Sequence, residues 1–250
     1  MGSLITIDRG NSTTKVTAFE GDELVASKRF ETLTVEDVAD MLSRYQGAAV
    51  AYCAVAHIDA RFVESVRRIS EEPLFLFSHA TPLPIEIAYA SPSTLGLDRI
   101  CAAVGASVVA PGETSLVVDA GTAVTLDILA EGSRFEGGNI SPGMSLRFNA
   151  LHQWAPALPL CHGYEAPSPL PQFGSDTRSA IECGVLGGLR AEIMQAADDA
   201  SRRGASRLIL TGGDADLLAS LLAGSPLPIT KSSTLVAIGL KRIYEYNEGK

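Results

Sequence analysis

The sequence predicts an α/β protein built from two copies of one unit. Two stretches, "LITIDRGNSTTK" and "SLVVDAGTAVTLD", each consist of an apolar run that ends in Asp-x-Gly and continues into small hydroxylated residues. Asp8 and Gly10 of the first stretch therefore correspond to Asp119 and Gly121 of the second. Signals for further strands and then helices follow each stretch. The spacing is too long for a solenoid repeat, so a duplicated domain is the simplest explanation.

In the first half, three strands precede alternating helices and strands. Gly21 and Asp22 separate two short alternating runs, which predicts a hairpin. Thr34 precedes apolar residues at helical spacing and is typical of a helix start. Besides the hairpin, the expected elements are strands at 3–8, 48–55 and 73–78 and helices at 34–45 and 59–70.

The second half repeats this plan. Its first strand, in "TSLVVDAG", precedes two more strands joined by a turn at Glu131-Gly132. The longest helix is expected at 177–203, closed by Gly204. "SRLILTGGDADLLASLL" predicts a strand, a glycine turn and a helix, and "STLVAIGLKRIYEY" predicts a final amphipathic helix. The proline-rich residues 156–173 are expected to form a loop.

Composition and charge limit the classes of function. The 250 residues are 46% hydrophobic and 20% charged, as in a folded, soluble protein, and no apolar run approaches the roughly 20 residues of a spanning helix. The N-terminus lacks a secretory signal, so we expect a cytoplasmic protein with no membrane partner. A net charge of −9, with lysines and arginines scattered, argues against a nucleic-acid partner. The four cysteines lack the paired spacing of a zinc site.

The repeated Asp-x-Gly turn has the chemistry of a phosphate-binding site. Glycine permits a positive φ and the close approach of a ligand, and small residues after it leave backbone N–H groups open to an anion. Lys15 adds a positive charge beside the first turn. Asp8 and Asp119 would repel phosphate directly, but they can hold a cation that binds it. A plain β-turn also favours Asp and Gly, although two matching turns in one repeat weaken that explanation.

The two turns resemble the phosphate-binding hairpins of the actin, sugar-kinase and heat-shock ATPase superfamily. The stretches "YASPSTLGLDR", "VVDAGTAVTLD", "GGNISPGMSL", "DTRSAIECG" and "TGGDA" occur in the order seen in type III pantothenate kinases, and the resemblance covers essentially the whole chain. It implies duplicated ribonuclease H-like (actin-like ATPase) domains, with mixed five-stranded sheets flanked by helices and a cleft between the domains. The implied domains are 1–112, with the first phosphate turn, and 113–250, with the second turn and a dimer interface.

The resemblance also implies the reaction. Type III pantothenate kinases use ATP, Mg²⁺ and a monovalent cation, K⁺ or NH₄⁺, to phosphorylate pantothenate to 4′-phosphopantothenate in the first step of coenzyme A biosynthesis. They are homodimers with the active site at the interface. Two rival interpretations stay open at this point. One is a kinase of the same superfamily that acts on a sugar or an acetate-like acid, and the other is a non-catalytic relative that assists transcription.

Asp98 is the catalytic residue that the resemblance implies. It would accept the proton of the pantothenate hydroxyl group, for which an ionised carboxylate of ordinary pKa is enough. An aspartate in the first turn of a helix also has an ordinary explanation, since the helix dipole favours it there. Thr177 would reach across from the partner subunit, although by position alone it is a helix N-terminal residue. The implied substrate contacts are Tyr89, Gly96, Leu97, Asp98, Arg99 and Thr177.

The implied ATP site includes both turns. Asp8 would anchor the magnesium sphere, and Asp119 would bind the monovalent cation. Gly212-Gly213 would lie where the superfamily holds adenosine, and "GGNISPGMSLRFNAL" would either shape the pocket wall or only pack. The implied ATP contacts are Asp8, Arg9, Gly10, Asn11, Ser12, Thr13, Thr14, Lys15 and Thr122.

Three residues depart from the family pattern. Arg9 stands where an apolar residue is frequent, Ser12 where threonine is frequent and Ser91 where asparagine is usual. Ser12 keeps the hydroxyl group, whereas Ser91 changes the local turn before the predicted base. The residues whose joint presence favours catalysis over the non-catalytic alternative are Asp8, Asp98, Arg99, Asp119 and Thr122.

Overall fold

A computed structural model describes residues 2–55, 59–164 and 169–248 of the chain. It consists of strands, α-helices and a short 3₁₀ helix at Pro92–Thr94. In chain order the elements are β1 (Ser3–Arg9), β2 (Thr14–Glu20), β3 (Glu23–Phe30), α1 (Val35–Arg44), β4 (Ala49–Ala54), α2 (Ala60–Ile69), β5 (Phe75–Leu76), β6 (Glu86–Ile87), α3 (Leu97–Val109), β7 (Ser115–Ala120), β8 (Ala123–Ala130), β9 (Arg134–Pro142), α4 (Met144–Trp154), α5 (Thr177–Arg202), β10 (Arg207–Thr211), α6 (Ala215–Leu221), β11 (Ile229–Lys231) and α7 (Leu235–Glu248).

The chain divides into two compact units. The first consists of Met1–Val109, Ser133–Phe135 and Thr234–Lys250, and the second consists of Ala110–Gly132 and Glu136–Ser233. The C-terminal helix α7 therefore belongs with the first half of the sequence. Within the described part of the chain, no helix is both long enough and apolar enough to cross a membrane.

The first unit is built on a five-stranded sheet with the order β3-β2-β1-β4-β5. β2 pairs antiparallel with both β1 and β3, and Gly21-Asp22 joins β2 to β3, which confirms the predicted hairpin. β4 runs parallel to β1, and β5 runs parallel to β4. β5 lies at the edge of the sheet and contains only Phe75 and Leu76, so it is shorter than the expected strand at 73–78.

Helices α1 and α2 pack their apolar sides against this sheet. Thr34 caps α1 as predicted: its hydroxyl oxygen accepts the Asp37 N–H at 3.2 Å, and the Asp37 carboxylate accepts the Thr34 N–H at 3.0 Å. Buried apolar residues of the sheet and of the two helices form one core. The core residues contributed by the sheet and the two helices include Ile5, Ile7, Val16, Val50, Tyr52, Val38, Met41, Val63 and Val66.

Two glycines let α7 lie directly on α3. A Cβ atom on Gly105 would collide with the carbonyl oxygen of Leu235, and a Cβ atom on Gly239 would collide with that of Cys101. Glycine permits this close approach of two backbones because it has no side chain. The last helix of the chain is therefore fixed against the helix that starts with the predicted base.

The second sheet has the strand order β11-β10-β7-β8-β9-β6. The two-residue strand β6 and the start of β9, with which it pairs, are counted in the first unit, and the other strands belong to the second. The expectation of five strands omitted β6, since two residues are too few to give a strand pattern. β7 and β8 pair antiparallel, whereas β10 and β11 run parallel to β7 and β10, respectively.

The long helix α5 packs along the sheet of the second unit through its buried apolar side. Asp176 and Ser179 form a capping box at its start, and Gly204, with φ of +90°, follows its end as predicted. Of the proline-rich residues 156–173, those that the structure describes form neither helix nor strand, and 165–168 lie outside the described residues.

Candidate active site

The first Asp-x-Gly turn closes the hairpin between β1 and β2. Asp8 lies opposite Lys15 in this hairpin, and the Gly10 N–H donates to the Thr13 carbonyl oxygen at 3.0 Å. The turn borders a cavity of about 150 Å³. Its lining consists of Arg9, Gly10, Asn11, Ser12, Thr13, Thr14, Glu31, Thr32, Leu33 and Phe62. Six of the predicted ATP contacts thus surround one small cavity in the first unit.

The second Asp-x-Gly turn lies between β7 and β8. Asp119 is opposite Thr125 on β8 and beside Thr211 on β10. The Asp119 side chain is half-buried, whereas Thr122 at the turn is exposed. Hydroxyl-bearing residues on both neighbouring strands therefore surround the position predicted to bind a cation, and oxygen atoms are the ligands that hard cations prefer.

Two other glycine segments close around this second turn. The Gly143 N–H, at the start of α4, donates to the Thr122 carbonyl oxygen at 3.0 Å, and a Cβ atom on Gly143 would collide with the Gly121 carbonyl oxygen. Gly212 has a φ of +95°, and a Cβ atom there would collide with the backbone of Ala120. Gly143 of "GGNISPG" and Gly212 of "TGGDA" thus both pack on the turn, whereas Gly137, Gly138 and Asn139 of the former stretch line a cavity of about 280 Å³.

The glycines of the two turns provide space rather than an unusual backbone angle. Neither Gly10 nor Gly121 has φ in the left-handed region, so the positive φ that glycine permits is not used at these positions. The physical reason is that each chain reversal is distributed over bends at residues 11–12 and 121–122. A Cβ atom on Gly121 would meet nothing within 4 Å, which leaves the space beside the turn open to a ligand.

Asp98 lies in the first turn of α3. Its Oδ1 atom accepts the Arg99 N–H at 2.8 Å, and a Cβ atom on Gly96 would collide with the same oxygen. Gly96 therefore leaves room for the carboxylate to fold back over the helix start. Burial raises the pKa of Asp98, although the Arg99 N–H and the Arg99 charge act in the opposite direction. An ordinary pKa would be enough for the proposed role, but the pKa of Asp98 is higher because this helix start is half-buried rather than open to water.

Arg99 is a buried cation stacked on two aromatic rings. Only 5% of its surface is exposed, and its guanidinium carbon lies 5.7 Å from the ring centre of Tyr89 and 5.6 Å from that of Phe135. The two rings are edge to face, with centres 5.9 Å apart. A partly desolvated guanidinium attracts anions strongly, and stacking fixes its plane. Two of the predicted substrate contacts, Tyr89 and Arg99, therefore belong to one cluster next to Asp98.

The fully buried Cys101 connects the first phosphate turn with Asp98. Its thiol donates to the Cys53 thiol across 4.0 Å, and Cys53 is paired with Asp8 between β4 and β1. Burial, the Cys53 thiol and the negative charges of Asp8 and Asp98 raise the pKa of the Cys101 thiol well above its usual value. The negative charges of Asp8 and Asp98 thus both affect the Cys101 thiol. The first turn and the predicted base therefore lie near each other in the first unit.

The remaining predicted contacts lie at helix starts. Gly96 and Leu97 are half-buried at the start of α3. Thr177 is the exposed first residue of α5 in the second unit, directly after the N-cap residue Asp176. A Cβ atom on Gly174 would collide with the backbone of Ala180, so the segment before α5 packs closely on its first turn. The chain itself thus fixes the backbone around Thr177.

Sequence reasoning missed two side chains beside these residues. Phe135 lies in "RFEGG", immediately before a quoted motif, and its place in an alternating strand was the available signal. Asp214 ends the quoted glycine turn; its carboxylate accepts the Tyr164 hydroxyl at 3.0 Å, and its N–H donates to the Ala120 carbonyl oxygen at 3.0 Å. Asp214 thus ties a loop residue to the second phosphate turn.

Comparison with known sequences identifies a family and individual proteins to which this chain is similar. The sequence model of the family described as type III pantothenate kinase matches residues 4–199. A type III pantothenate kinase of Porphyromonas gingivalis is 35% identical, over 96% of this chain and 97% of the relative. Relatives with the same description from Bacteroides fragilis and Cytophaga hutchinsonii are 34% and 36% identical; they cover 98% and 97% of this chain, and the matches span 98% and 99% of the relatives.

Solved structures share the fold at lower identity. A putative Baf family transcriptional activator from Campylobacter jejuni has a TM-score of 0.65 at 21% identity, over 99% of this chain and 100% of that chain. A putative N-acetylmannosamine kinase from Listeria monocytogenes has a TM-score of 0.59 at 13% identity, over 98% and 99%. These similarities confirm the predicted actin-like ATPase fold class. The match over residues 4–199 and the nearly full-length relatives show that the chain belongs to the type III pantothenate kinase family.

Proposed function

We propose that the chain phosphorylates pantothenate with Asp98 as the base and the Asp-x-Gly turns as the phosphate-binding elements. Its family membership supports ATP-dependent phosphorylation of pantothenate to 4′-phosphopantothenate, which is the first step of coenzyme A biosynthesis. The observation that carries the mechanism is that Cys53, which is paired with Asp8, contacts Cys101 on α3, the helix whose first turn contains Asp98. Phosphoryl transfer to an alcohol requires positioning and charge neutralisation, and a phosphate turn beside a carboxylate supplies both.

Asp98 accepts the proton of the pantothenate hydroxyl group as its oxygen attacks the γ-phosphorus of ATP. The hydrogen bond from the Arg99 N–H orients the carboxylate, and the raised pKa makes it a stronger base. Arg99 contributes a positive charge for an anionic group, and Tyr89 borders the same position. Pantothenate carries a carboxylate, so a buried arginine beside the base suits this substrate.

The phosphates of ATP bind to backbone N–H and hydroxyl groups of residues 10–14 and of Thr122, with Lys15 as an additional positive charge. No cluster of three His, Cys, Asp or Glu side chains that could hold a metal ion occurs among the described residues. Mg²⁺ commonly binds through one or two carboxylates together with substrate phosphates, and Asp8 at the end of β1 can supply such a carboxylate.

Asp119 is the proposed ligand of a monovalent cation, K⁺ or NH₄⁺. Its half-buried position next to Thr125 and Thr211 surrounds it with oxygen-bearing neighbours. Such a cation would offset the negative charge that Asp119 places beside the phosphates. This assignment gives the two aspartates of the repeat different roles.

A cytoplasmic homodimer with its active site at the interface completes the proposal. Trp154, at the end of α4, and Phe173, before α5, are each 81% exposed. Leu146 and Leu151 on α4 are also exposed, and exposed large apolar side chains often mark protein interfaces. Thr177 lies four residues after Phe173 and is exposed as well, and the proposed interface includes both. Light scattering should give twice the chain mass, and a monomer at micromolar concentration would contradict the dimer.

The decisive experiment compares Asp98→Asn with the wild type in ATP-dependent formation of phosphopantothenate. Asparagine keeps the shape and an oxygen for the Arg99 N–H but is not a base, so kcat should fall about 100-fold or more. The matched control is Asp59→Asn, which changes the N-cap aspartate of α2 in the same unit and should leave kcat unchanged. An unchanged kcat in Asp98→Asn would remove the base, and a wild type that forms no phosphopantothenate would remove the substrate.

The pH profile provides a second test of Asp98. The carboxylate must be ionised to accept a proton, and burial raises its pKa. The rate should therefore fall on acidification at a higher pH than an ordinary aspartate, with a pKa near about 4, would give. If the rate instead falls at the pH expected for an ordinary aspartate, the assignment of this acidic limb to the buried Asp98 would be contradicted.

A further inference from the structure

We propose that Phe135 is a positioning residue for the pantothenate subsite, where it holds the side chains of Arg99 and Tyr89 in one arrangement. The inference rests on the proposed function, in which these two residues contact pantothenate. Phe135 lies in the segment Ser133–Phe135, which is counted within the first unit. The residues directly before and after this segment, Gly132 and Glu136, belong to the second unit. Three observations carry the inference: the ring contacts, the backbone pairing and the charge of the side chain that is held.

The ring of Phe135 contacts both side chains. It is fully buried, lies edge to face with the Tyr89 ring, and is 5.6 Å from the guanidinium carbon of Arg99. Arg99 also contacts Tyr89, so each of the three groups touches the other two. A mutually contacting set of two rings and one guanidinium has few alternative arrangements in a closely packed interior.

The backbone of the same segment fixes the strand that leads to Tyr89. The Ser133 carbonyl oxygen accepts the Glu86 N–H at 2.8 Å, and the Phe135 carbonyl oxygen accepts the Ala88 N–H at 2.9 Å. Tyr89 follows Ala88 directly. Phe135 therefore holds Tyr89 at two points, through the backbone of the preceding residue and through the ring.

The side chain that Phe135 holds is a long, buried cation. An arginine has many rotamers, and fixing them before the substrate binds lowers the entropic cost of binding. The buried Phe135 ring therefore keeps Arg99 and Tyr89 in the arrangement in which the proposed function has them contact pantothenate.

The test is the variant Phe135→Leu. Leucine keeps an apolar side chain in the buried position but removes the ring that stacks on Arg99. The KM for pantothenate should rise about tenfold, as expected for the loss of a desolvated cation–π contact, while the KM for ATP stays unchanged. The matched control is Phe77→Leu in the same unit, where a ring of equal size is 1% exposed and the backbone N–H donates to Tyr52. Both variants should lose stability, but only Phe135→Leu should change the KM for pantothenate.

A double-mutant cycle shows whether Phe135 acts through Arg99. Arg99→Lys removes the planar group that stacks, so Phe135→Leu should have little further effect on the KM for pantothenate in that background. Fully additive effects, an unchanged KM in Phe135→Leu, or an equal rise in Phe77→Leu would each overturn the inference. Failure of the proposed function gives a different result, because the wild type would then form no phosphopantothenate.

Discussion

The two phosphate turns share one sequence pattern but differ in their surroundings. In the first turn, Asn11 and Ser12 are exposed and the residues border an open cavity of about 150 Å³. In the second turn, the backbone of residues 120–122 is in direct contact with Gly143 and Gly212, which come from two distant parts of the chain. Both turns therefore end a hairpin, but the second is also packed against two glycine segments from other parts of its unit.

This difference shows that a repeated motif need not have repeated support. Each turn follows a hairpin ladder and accepts one N–H from beyond a neighbouring strand: Val55 donates to Arg9 in the first turn, and Asp214 donates to the matching Ala120 in the second. The second turn in addition accepts the Gly143 N–H at Thr122 and is in close contact with Gly143 and Gly212. Substitution of the supporting glycines should therefore do more damage than substitution of the glycines in the motif itself.

The largest effect is expected for Gly212→Ala and Gly143→Ala. In both variants the new Cβ atom would collide with backbone of the second turn, and Gly212 also has a φ of +95° that alanine rarely adopts. Neither backbone can move without breaking the hydrogen bonds around the turn, so the free energy of unfolding should fall by about 3 kcal/mol. Denaturant unfolding followed by circular dichroism measures this loss.

Gly184→Ala is the control for these two variants. Gly184 lies inside α5, and a Cβ atom there would meet nothing within 4 Å. Alanine should be neutral or stabilise the protein by up to about 1 kcal/mol, because it is the better helix former. If Gly212→Ala unfolds at the same denaturant concentration as Gly184→Ala, the second turn is not supported in the way the structure indicates.

A smaller effect, on activity rather than stability, should distinguish the two aspartates of the repeat. Asp119→Asn should lower the rate with K⁺ about tenfold and abolish its dependence on K⁺, whereas Asp8→Asn should raise the Mg²⁺ concentration needed for half-maximal rate. Steady-state rates over a matrix of K⁺ and Mg²⁺ concentrations separate the two. Identical profiles for both variants would show that the two turns have the same role.

The sequence predicted most local elements because their signals are short-range. The hairpin at Gly21-Asp22, the cap at Thr34 and the long helix before Gly204 depend on patterns within a few residues, and the structure contains all of them. The position of α7 in the first unit could not be predicted from such short-range patterns. Gly105 and Gly239 only reduce helix propensity in the sequence, and their role requires the partner backbone.

The same division applies to the candidate site. Both Asp-x-Gly turns and the helix start at Asp98 are sequence motifs, so they could be found without coordinates. Phe135 could not, because its contacts with Tyr89 and Arg99 join residues that are far apart in the chain. The raised pKa of Asp98 also depends on burial, which a helix-start pattern does not report.

The smallest effect is expected for alanine at the motif glycines themselves. A Cβ atom on Gly121 meets nothing within 4 Å, one on Gly10 lies 3.1 Å from the Thr13 carbonyl oxygen, and neither glycine has a left-handed φ. The free energy of unfolding should therefore change by less than about 1 kcal/mol in Gly10→Ala and Gly121→Ala. Chemical denaturation should show nearly the same midpoint for both variants and the wild type.

Any functional cost of these two variants must then come from the space beside the turn. If phosphates approach the backbone there, the added methyl group obstructs them, and the KM for ATP should rise about fivefold, which corresponds to about 1 kcal/mol, with no change in the KM for pantothenate. Initial rates at varied ATP measure this. Should both variants bind ATP like the wild type, the two glycines would be explained by the ordinary preference of β-turns, and the phosphates would have to be held by other residues.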